Sequence, residues 1–191
     1  MLLEQTISQI GPLDEAAMAA ARARQDNLTK PRGSLGRLEA LSIHMAGITG
    51  QAQPHIAHKA IITMAGDHGV VAEGVNAYPQ EVTAQMVYNF LRGGAGINVL
   101  ARHVGARVVV VDMGVAMTLQ PHPELVVKKI APGTHNIARG AAMTRQQALQ
   151  SIEAGIAVVE AEIARGLDIV GVGEMGVCFS MPGAAIGAAP P

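Results

Sequence analysis

A chain of 191 residues is long enough for one sizeable core and at most a small appended domain. Hydrophobic residues at 49% against charged ones at 15% exclude a disordered chain, and a net charge of −1 argues against a sequence-independent grip on nucleic acid, which needs a basic face. The aromatics are Tyr78, Tyr88, Phe90 and Phe179, with no tryptophan, so a base-stacking platform for single strands is not expected.

One cysteine, Cys178, excludes an internal disulfide and suits a reducing compartment. The N-terminus, Met1-Leu2-Leu3-Glu4-Gln5, has neither the basic start nor the apolar run of a signal peptide. The longest β-type apolar run, residues 108–111, is far short of a membrane span. A soluble, cytoplasmic protein is expected.

In chain order, the Ala-rich stretch 13–28 predicts a helix, with Asp14 and Glu15 in the first turn where they suit the helix dipole. Thr29-Lys30-Pro31-Arg32-Gly33-Ser34 breaks it. Leu35, Leu38, Leu41, Met45 and Ile48 recur at spacings of three and four, one face of a second helix ended by Gly47 and Gly50. From Lys59 the period changes. Residues 60–65 form a short β-branched apolar run closed by Gly66, which reads as a buried strand. A helix is predicted from Pro79 to Arg92, with Glu81 in its first turn and Gly93-Gly94 as its stop. Ile97, Leu100 and Val104 mark another helical face, and residues 107–111 the clearest strand. Thr144-Arg145-Gln146-Gln147 has the form of a capping box opening a helix that runs to Gly166, and residues 167–170 read as the next strand. Strands alternating with helices from residue 59 predict an α/β fold: a parallel Rossmann-like sheet flanked by helices. Residues 1–57 are expected to form an N-terminal helical segment and residues 58–191 the α/β domain.

The most informative feature is a recurrence at strand ends. Asp67-His68-Gly69, Asp112-Met113-Gly114 and Glu174-Met175-Gly176 each place a carboxylate, one residue and a glycine after a strand. In a parallel sheet all strand C-termini share one edge, and ligands bind outside that edge. Neighbouring strands would put the three carboxylates on a common rim, with glycines that let the backbone approach a ligand. Asp and Gly are also common in βα loops, but three instances together favour a site. Gly171-Val172-Gly173-Glu174-Met175-Gly176 fits G-x-G-x-x-G, a pattern that holds a phosphate on backbone N–H groups; the plainer reading is a tight strand-to-helix turn. Lys30 to Arg37 is a basic, glycine-containing loop, either an anion loop or a helix cap with Ser34 at the N-cap. His55 and His58 are spaced as H-x-x-H, but no carboxylate near them completes a metal site. His103, His122 and His135 carry no assignment, Cys178 has no adjacent base, and the ten methionines read as gap-filling core residues.

Taken together, several segments resemble the nicotinate-nucleotide:dimethylbenzimidazole phosphoribosyltransferase family. They are Lys30-Pro31-Arg32-Gly33-Ser34-Leu35-Gly36-Arg37-Leu38-Glu39, Ala65-Gly66-Asp67-His68-Gly69-Val70, Glu73-Gly74-Val75, Tyr78-Pro79-Gln80-Glu81-Val82-Thr83, Gly133-Thr134-His135-Asn136-Ile137, Ala142-Met143-Thr144 and Gly173-Glu174-Met175-Gly176. They stand in family order across about residues 13–176. The resemblance implies transfer of phosphoribose from nicotinate mononucleotide to 5,6-dimethylbenzimidazole, giving α-ribazole 5′-phosphate and nicotinate for the cobalamin nucleotide loop. The base nitrogen attacks the anomeric carbon with inversion, a carboxylate general base takes the proton, and no metal or cofactor is required. It places Tyr78 and Met86 against the benzimidazole, Gly173, Glu174, Met175 and Gly176 in the nucleotide loop, and Asp67 and His68 at the adjoining strand end. Family members are homodimers.

The resemblance also predicts an incomplete site. The family's general-base glutamate, in a Gly-rich segment near the C-terminus of a longer chain, has no counterpart here, nor do later strands and a phosphate-contacting lysine. After Gly176 the family continues with Gly-Asn-Thr-Thr, whereas this sequence reads Val177-Cys178-Phe179-Ser180-Met181. A truncated or frameshifted member is therefore expected, with an open sheet edge, marginal folding and poor turnover. The alternative is an inactive remnant that at most binds nucleotide or a partner chain. The motif set argues against an unrelated α/β nucleotide-binding enzyme.

Overall fold

The computed structural model describes residues 1–189, which fall into two compact units, Met1–Ala57 and a second from His58 onward. The first unit is helical: α1 (Leu2–Ser8), α2 (Glu15–Asp26) and α3 (Arg37–Thr49). Asp14 caps α2, its carboxylate accepting from the Ala17 N–H at 2.9 Å. Small residues set the α2–α3 contact, with Ala17, Ala21 and Ala46 buried together. A Cβ on Gly47 would come within 2.7 Å of Met18, so Gly47 lets the helices close. The helix therefore turns Ala46 and Gly47 inward, while Leu38, Leu41 and Ile48 of the periodic stripe stay exposed, and Leu35 lies before the helix. Ser34 is not the cap; Gly36 holds that position. One charge of the basic loop is neutralised from within: Lys30 pairs with Glu39 at 2.6 Å, and this bond and the Leu35 N–H hold the Glu39 carboxyl below its ordinary value.

The second unit is a four-stranded sheet in the order β3-β2-β1-β4, every adjacent pair parallel. The strands are β1 (Lys59–Gly66), β2 (Ala106–Gly114), β3 (Leu125–Val127) and β4 (Ile169–Met175). The helices are α4 (Glu81–Leu91), α5 (Gly96–Val104), α6 (Arg145–Ala164) and α7 (Ser180–Ala188), with a short 3₁₀ turn at Gly69–Glu73. The apolar runs of β1 and β2 are buried on both faces, as central parallel strands require. On one face Ala65 and Val110 pack with Ala84, Val87 and Phe90, the last three from α4. On the other, Ile62, Val109 and Val111 pack with Val158 of α6. The capping box opens α6 as expected: the Thr144 hydroxyl accepts from the Gln147 N–H, and the Gln147 side chain accepts from the Thr144 N–H.

One expected element changes. The last strand does not stop at residue 170 but continues through Met175, in register with β1 to Ala65↔Met175. The G-x-G-x-x-G stretch is thus mostly extended strand, and α7 begins only at Ser180, so no phosphate loop forms at a helix N-terminus. Gly171 has a packing reason, because a Cβ there would meet the Ile61 side chain at 2.7 Å.

A buried carboxylate ties α6 to the sheet. Glu162, 4% exposed, accepts from Arg107 Nε of β2 at 2.6 Å and from Arg165 Nη1 at 3.0 Å. Replacing Glu162 by Ala leaves Arg107 facing a half-buried, unpaired site. The expected loss is about 2–3 kcal/mol, below the full cost of a buried pair because Arg107 keeps some water. Urea unfolding of Glu162→Ala against the parent chain measures it.

Candidate functional site

The C-terminal ends of β1 and β4 open into a cavity of about 760 Å³, within the range of small-molecule sites. Its walls are mainly apolar. Met64, Met113, Met143 and Met175 contribute four thioethers, and Ile130 and Ile152 add aliphatic surface. The polar lining comes from Asp67, His68, Thr134, His135, Gln147, Ser151 and Glu174. No Lys or Arg lines it among the described residues.

Asp67 is fixed more firmly than any other residue here. Its N–H donates to the Gly114 carbonyl at 3.0 Å, and its own carbonyl accepts from Thr134 N–H at 3.0 Å. Its Oδ2 accepts from the Ala116 N–H at 2.8 Å. Its Oδ1 is buried and has no partner within the chain, although the residue is only 2% exposed. A buried acceptor without a donor is costly, so this oxygen has an unused capacity to accept a hydrogen bond. The neighbouring His68 has a buried Nδ1 that also lacks a partner. Burial pushes the His68 imidazole below its ordinary value of 6.5, with the Asp67 charge opposing, so the ring is neutral at neutral pH. Glu174 is exposed as a residue, and the partial desolvation of its carboxyl raises it above the ordinary 4.5.

The loop facing Asp67 is held by a clasp. Glu73 accepts from Asn136 Nδ2 at 2.6 Å and Arg139 Nε at 2.9 Å, and Thr134 Oγ1 accepts from the Gly69 N–H at 3.3 Å. Two segments that stand 60 residues apart in sequence, around Glu73 and around His135, therefore form one wall.

The three strand-end glycines have a packing role. A Cβ on Gly69 would lie 2.6–2.7 Å from backbone atoms of 134–136. One on Gly114 would lie 3.0 Å from the Ala131 carbonyl oxygen, and one on Gly176 would collide with the Gly66 carbonyl oxygen. Each glycine admits a neighbouring segment of chain.

The three carboxylates do not share one mouth. Asp67 and Glu174 line the cavity, whereas Asp112 does not. Asp112 is in register with Ala65 on the α4 face, while Glu174 is in register with Met64 on the α6 face. Its Oδ1 accepts from the Val115 N–H at 2.9 Å and its Oδ2 pairs with Lys129 at 3.2 Å, which makes Asp112 a loop anchor. Of the other expected residues, His68 and Met175 line the cavity, but Tyr78, Met86, Gly173 and Gly176 do not. Tyr78 is 66% exposed before α4, and Met86 packs half-buried against the α4-side core with its sulfur accepting from Asn89. Sequence reasoning missed Met64, Met113 and Met143, because nothing in their local spacing separates a cavity-lining methionine from a core one.

This geometry meets an independent match. Residues 10–190 fit the sequence profile of a family described as "Phosphoribosyltransferase". The chain belongs to that family. It is 59% identical over 188 residues to the nicotinate-nucleotide–dimethylbenzimidazole phosphoribosyltransferase of Roseiflexus sp. (strain RS-1), covering 98% of this chain and 53% of that one. It is 57% identical to the same-named protein of Chloroflexus aurantiacus (strain ATCC 29366 / DSM 635 / J-10-fl), covering 98% and 54%. The crystal structure of the Thermus thermophilus phosphoribosyltransferase of that name superposes with a TM-score of 0.89 at 45% identity, over 92% of this chain and 53% of the other. The chain thus spans about half the length of the curated relatives it matches. No helix among the described residues is long and apolar enough to cross a membrane.

Two measurements test the site's construction. Gly69→Ala forces the 134–136 backbone away and is expected to cost about 1–3 kcal/mol in urea unfolding, as overpacking does. His68 binds fewer protons folded than unfolded, so its contribution is complete above 6.5 and is lost as pH falls from there toward its lowered folded value. His68→Gln should therefore lose less Tm than the parent chain between pH 7.5 and pH 5.5; equal losses would show that the imidazole is not buried in the folded state.

Proposed function

We propose that this chain forms one wall of a site for phosphoribosyl transfer from nicotinate mononucleotide to 5,6-dimethylbenzimidazole, giving α-ribazole 5′-phosphate and nicotinate for cobalamin assembly. The observation that carries this reading is the pairing of Asp67 and Glu174 at one cavity without any lining cation. Transfer from a pyridinium nucleotide builds positive charge on the anomeric carbon, and fixed carboxylates stabilise such charge as it develops. Asp67 is suited to that work because its backbone and one carboxylate oxygen are already held, so little reorganisation accompanies the step. The free Oδ1 is an acceptor for a ribose hydroxyl. The four methionines provide a polarizable, apolar surface for a flat heteroaromatic ring. Tyr78 and Met86, on the α4 side, are proposed to meet the benzimidazole from outside this cavity.

The same observation limits the chain. A phosphate needs donors, and with no Lys or Arg in the lining among the described residues it is left to backbone N–H groups, to neutral donors such as Thr134, Gln147 and Ser151, or to the part of the family sequence this chain does not match. The general base belongs to that unmatched part in the same reading. General-base catalysis is worth about 10²–10⁴-fold. Residues 1–191 incubated with both substrates should therefore turn over at least about 10²-fold more slowly than the Thermus relative, read as α-ribazole phosphate by chromatography. The chain alone then acts as a nucleotide binder. Turnover equal to that of the relative would overturn the assignment of the base elsewhere.

Binding tests the wall itself. Glu174→Gln should weaken nicotinate mononucleotide by roughly tenfold in calorimetry, about 1.4 kcal/mol. Because the Glu174 pKa is raised, its anionic fraction grows with pH over a range above the ordinary 4.5. Affinity should rise across that range in the parent chain and stay flat in Glu174→Gln. An unchanged affinity in the variant would remove Glu174 from the site.

A further inference from the structure

A second cleft, of about 500 Å³, opens at the β3 edge of the sheet and shares no lining residue with the first. β3 pairs with β2 only from Val110 to Asp112. It does not reach further back, because Pro121 and Pro123 have no N–H to give to a ladder. Ala106 to Val109 of β2 are therefore paired, among the described residues, with β1 alone, and their other edge opens into the cleft. Such an edge presents unpaired backbone N–H and C=O groups. A strand position is vacant here, and the prolines keep the chain from filling it.

The walls of this cleft are basic. Arg102 comes from α5, whose Asn98 bonds the α4 carbonyl of Phe90, and Arg107 and Arg165 meet at Glu162 of α6, so the guanidiniums flank the edge from both faces of the sheet. Each is held by the protein. Glu162 accepts from Arg107 and Arg165, and the Gly93 carbonyl accepts from Arg102 Nη1 at 2.9 Å. These bonds fix the side chains while using only part of each fork of N–H donors. Glu124 is the one carboxylate in the lining, and Glu162, buried behind it, offsets a second charge, so the three arginines leave the cleft positive. We propose that it binds a small anion carrying phosphate or carboxylate groups. Arg102 holds the anion from one side and Arg165 from the other, with Arg107 and the free N–H groups of residues 106–109 between them. Donors already fixed in place reduce the ordering cost of binding. Phosphate esters and polycarboxylates present the same oxyanions to a guanidinium fork, so the titration has to separate them. The proposal uses no residue of the cavity between Asp67 and Glu174 and stands apart from the phosphoribosyl reading.

The chain is titrated with inorganic phosphate, pyrophosphate and citrate in a calorimeter, and the same titrations are followed by amide resonances. Saturable one-to-one binding, millimolar or tighter, is expected for at least one of the three, weakening as salt is added. Arg102→Gln and Arg165→Gln should each reduce affinity roughly tenfold. Arg102 also holds the Gly93 carbonyl, so Arg165, whose side chain is 67% exposed, supplies the variant that keeps the parent's melting temperature. Arg145→Gln, about 30 Å away at the other end of α6, should bind as the parent does. The amides of residues 106–109 should shift on titration, and that of Asp67 should not. Binding of the phosphates without citrate marks a phosphate site, and the reverse a carboxylate site; either supports the proposal. It is overturned if none of the three binds saturably, if Arg145→Gln loses as much affinity as Arg165→Gln, or if the shifts fall around Asp67 in place of residues 106–109.

Discussion

Backbone crowding at the C-terminal ends of β1, β2 and β4 governs this molecule. Gly69, Gly114 and Gly176 each stand where a Cβ would strike backbone of another segment. Because those segments can touch, Asp67 is gripped from two sides, by the Gly114 carbonyl and the Thr134 N–H. Without the grip, Asp67 would be a mobile side chain at a loop entrance. With it, one carboxylate oxygen is bonded and the other is held in a dry place with nothing to accept from. The cavity is a consequence of the same crowding, since the 130–135 loop forms its far wall only by lying against the β1 end.

Carboxylates at equivalent strand ends are sorted by the face on which they fall. Asp112 on β2 and Glu174 on β4 stand on either side of β1 at the same end of the sheet, one register step apart, and the pleat sends one toward α4 and the other toward α6. On the α4 side Asp112 finds Lys129 and a backbone N–H and becomes structural. On the α6 side Glu174 finds no cation and faces the cavity. A register difference of one residue thus decides between a loop anchor and a cavity-lining carboxylate.

The alternation of apolar β-branched runs with helical periods made the parallel sheet legible, and the Thr144 to Gln147 pattern gave the start of α6. Both are local signals. Three features were not legible for the opposite reason. The cavity methionines depend on which loops face them, and that is set by contacts 60 or more residues apart in sequence. The strand ending at residue 175 depends on β1 lying alongside, so the G-x-G-x-x-G spacing, read in isolation, suggested a turn. The face of α3 depends on Gly47 and Ala46 allowing α2 to approach closely, a steric effect that outweighs the larger apolar side chains of Leu38 and Leu41. The glycines of the carboxylate-x-glycine recurrence were visible, but their purpose was not, because close approach to a ligand and close approach to another strand leave the same residue behind.

Site and edge meet on a single strand. Val172 and Glu174 are two residues apart on the same face of β4, one exposed at the open edge and the other lining the cavity. Any segment laid against Val172 displaces water from Glu174 as well. Lower dielectric strengthens the attraction between its carboxylate and a developing cation, and it also raises the cost of the charge when no cation is present. The carboxylate of Glu174, already raised by what burial it has, is therefore sensitive to how much of β4 is left to solvent.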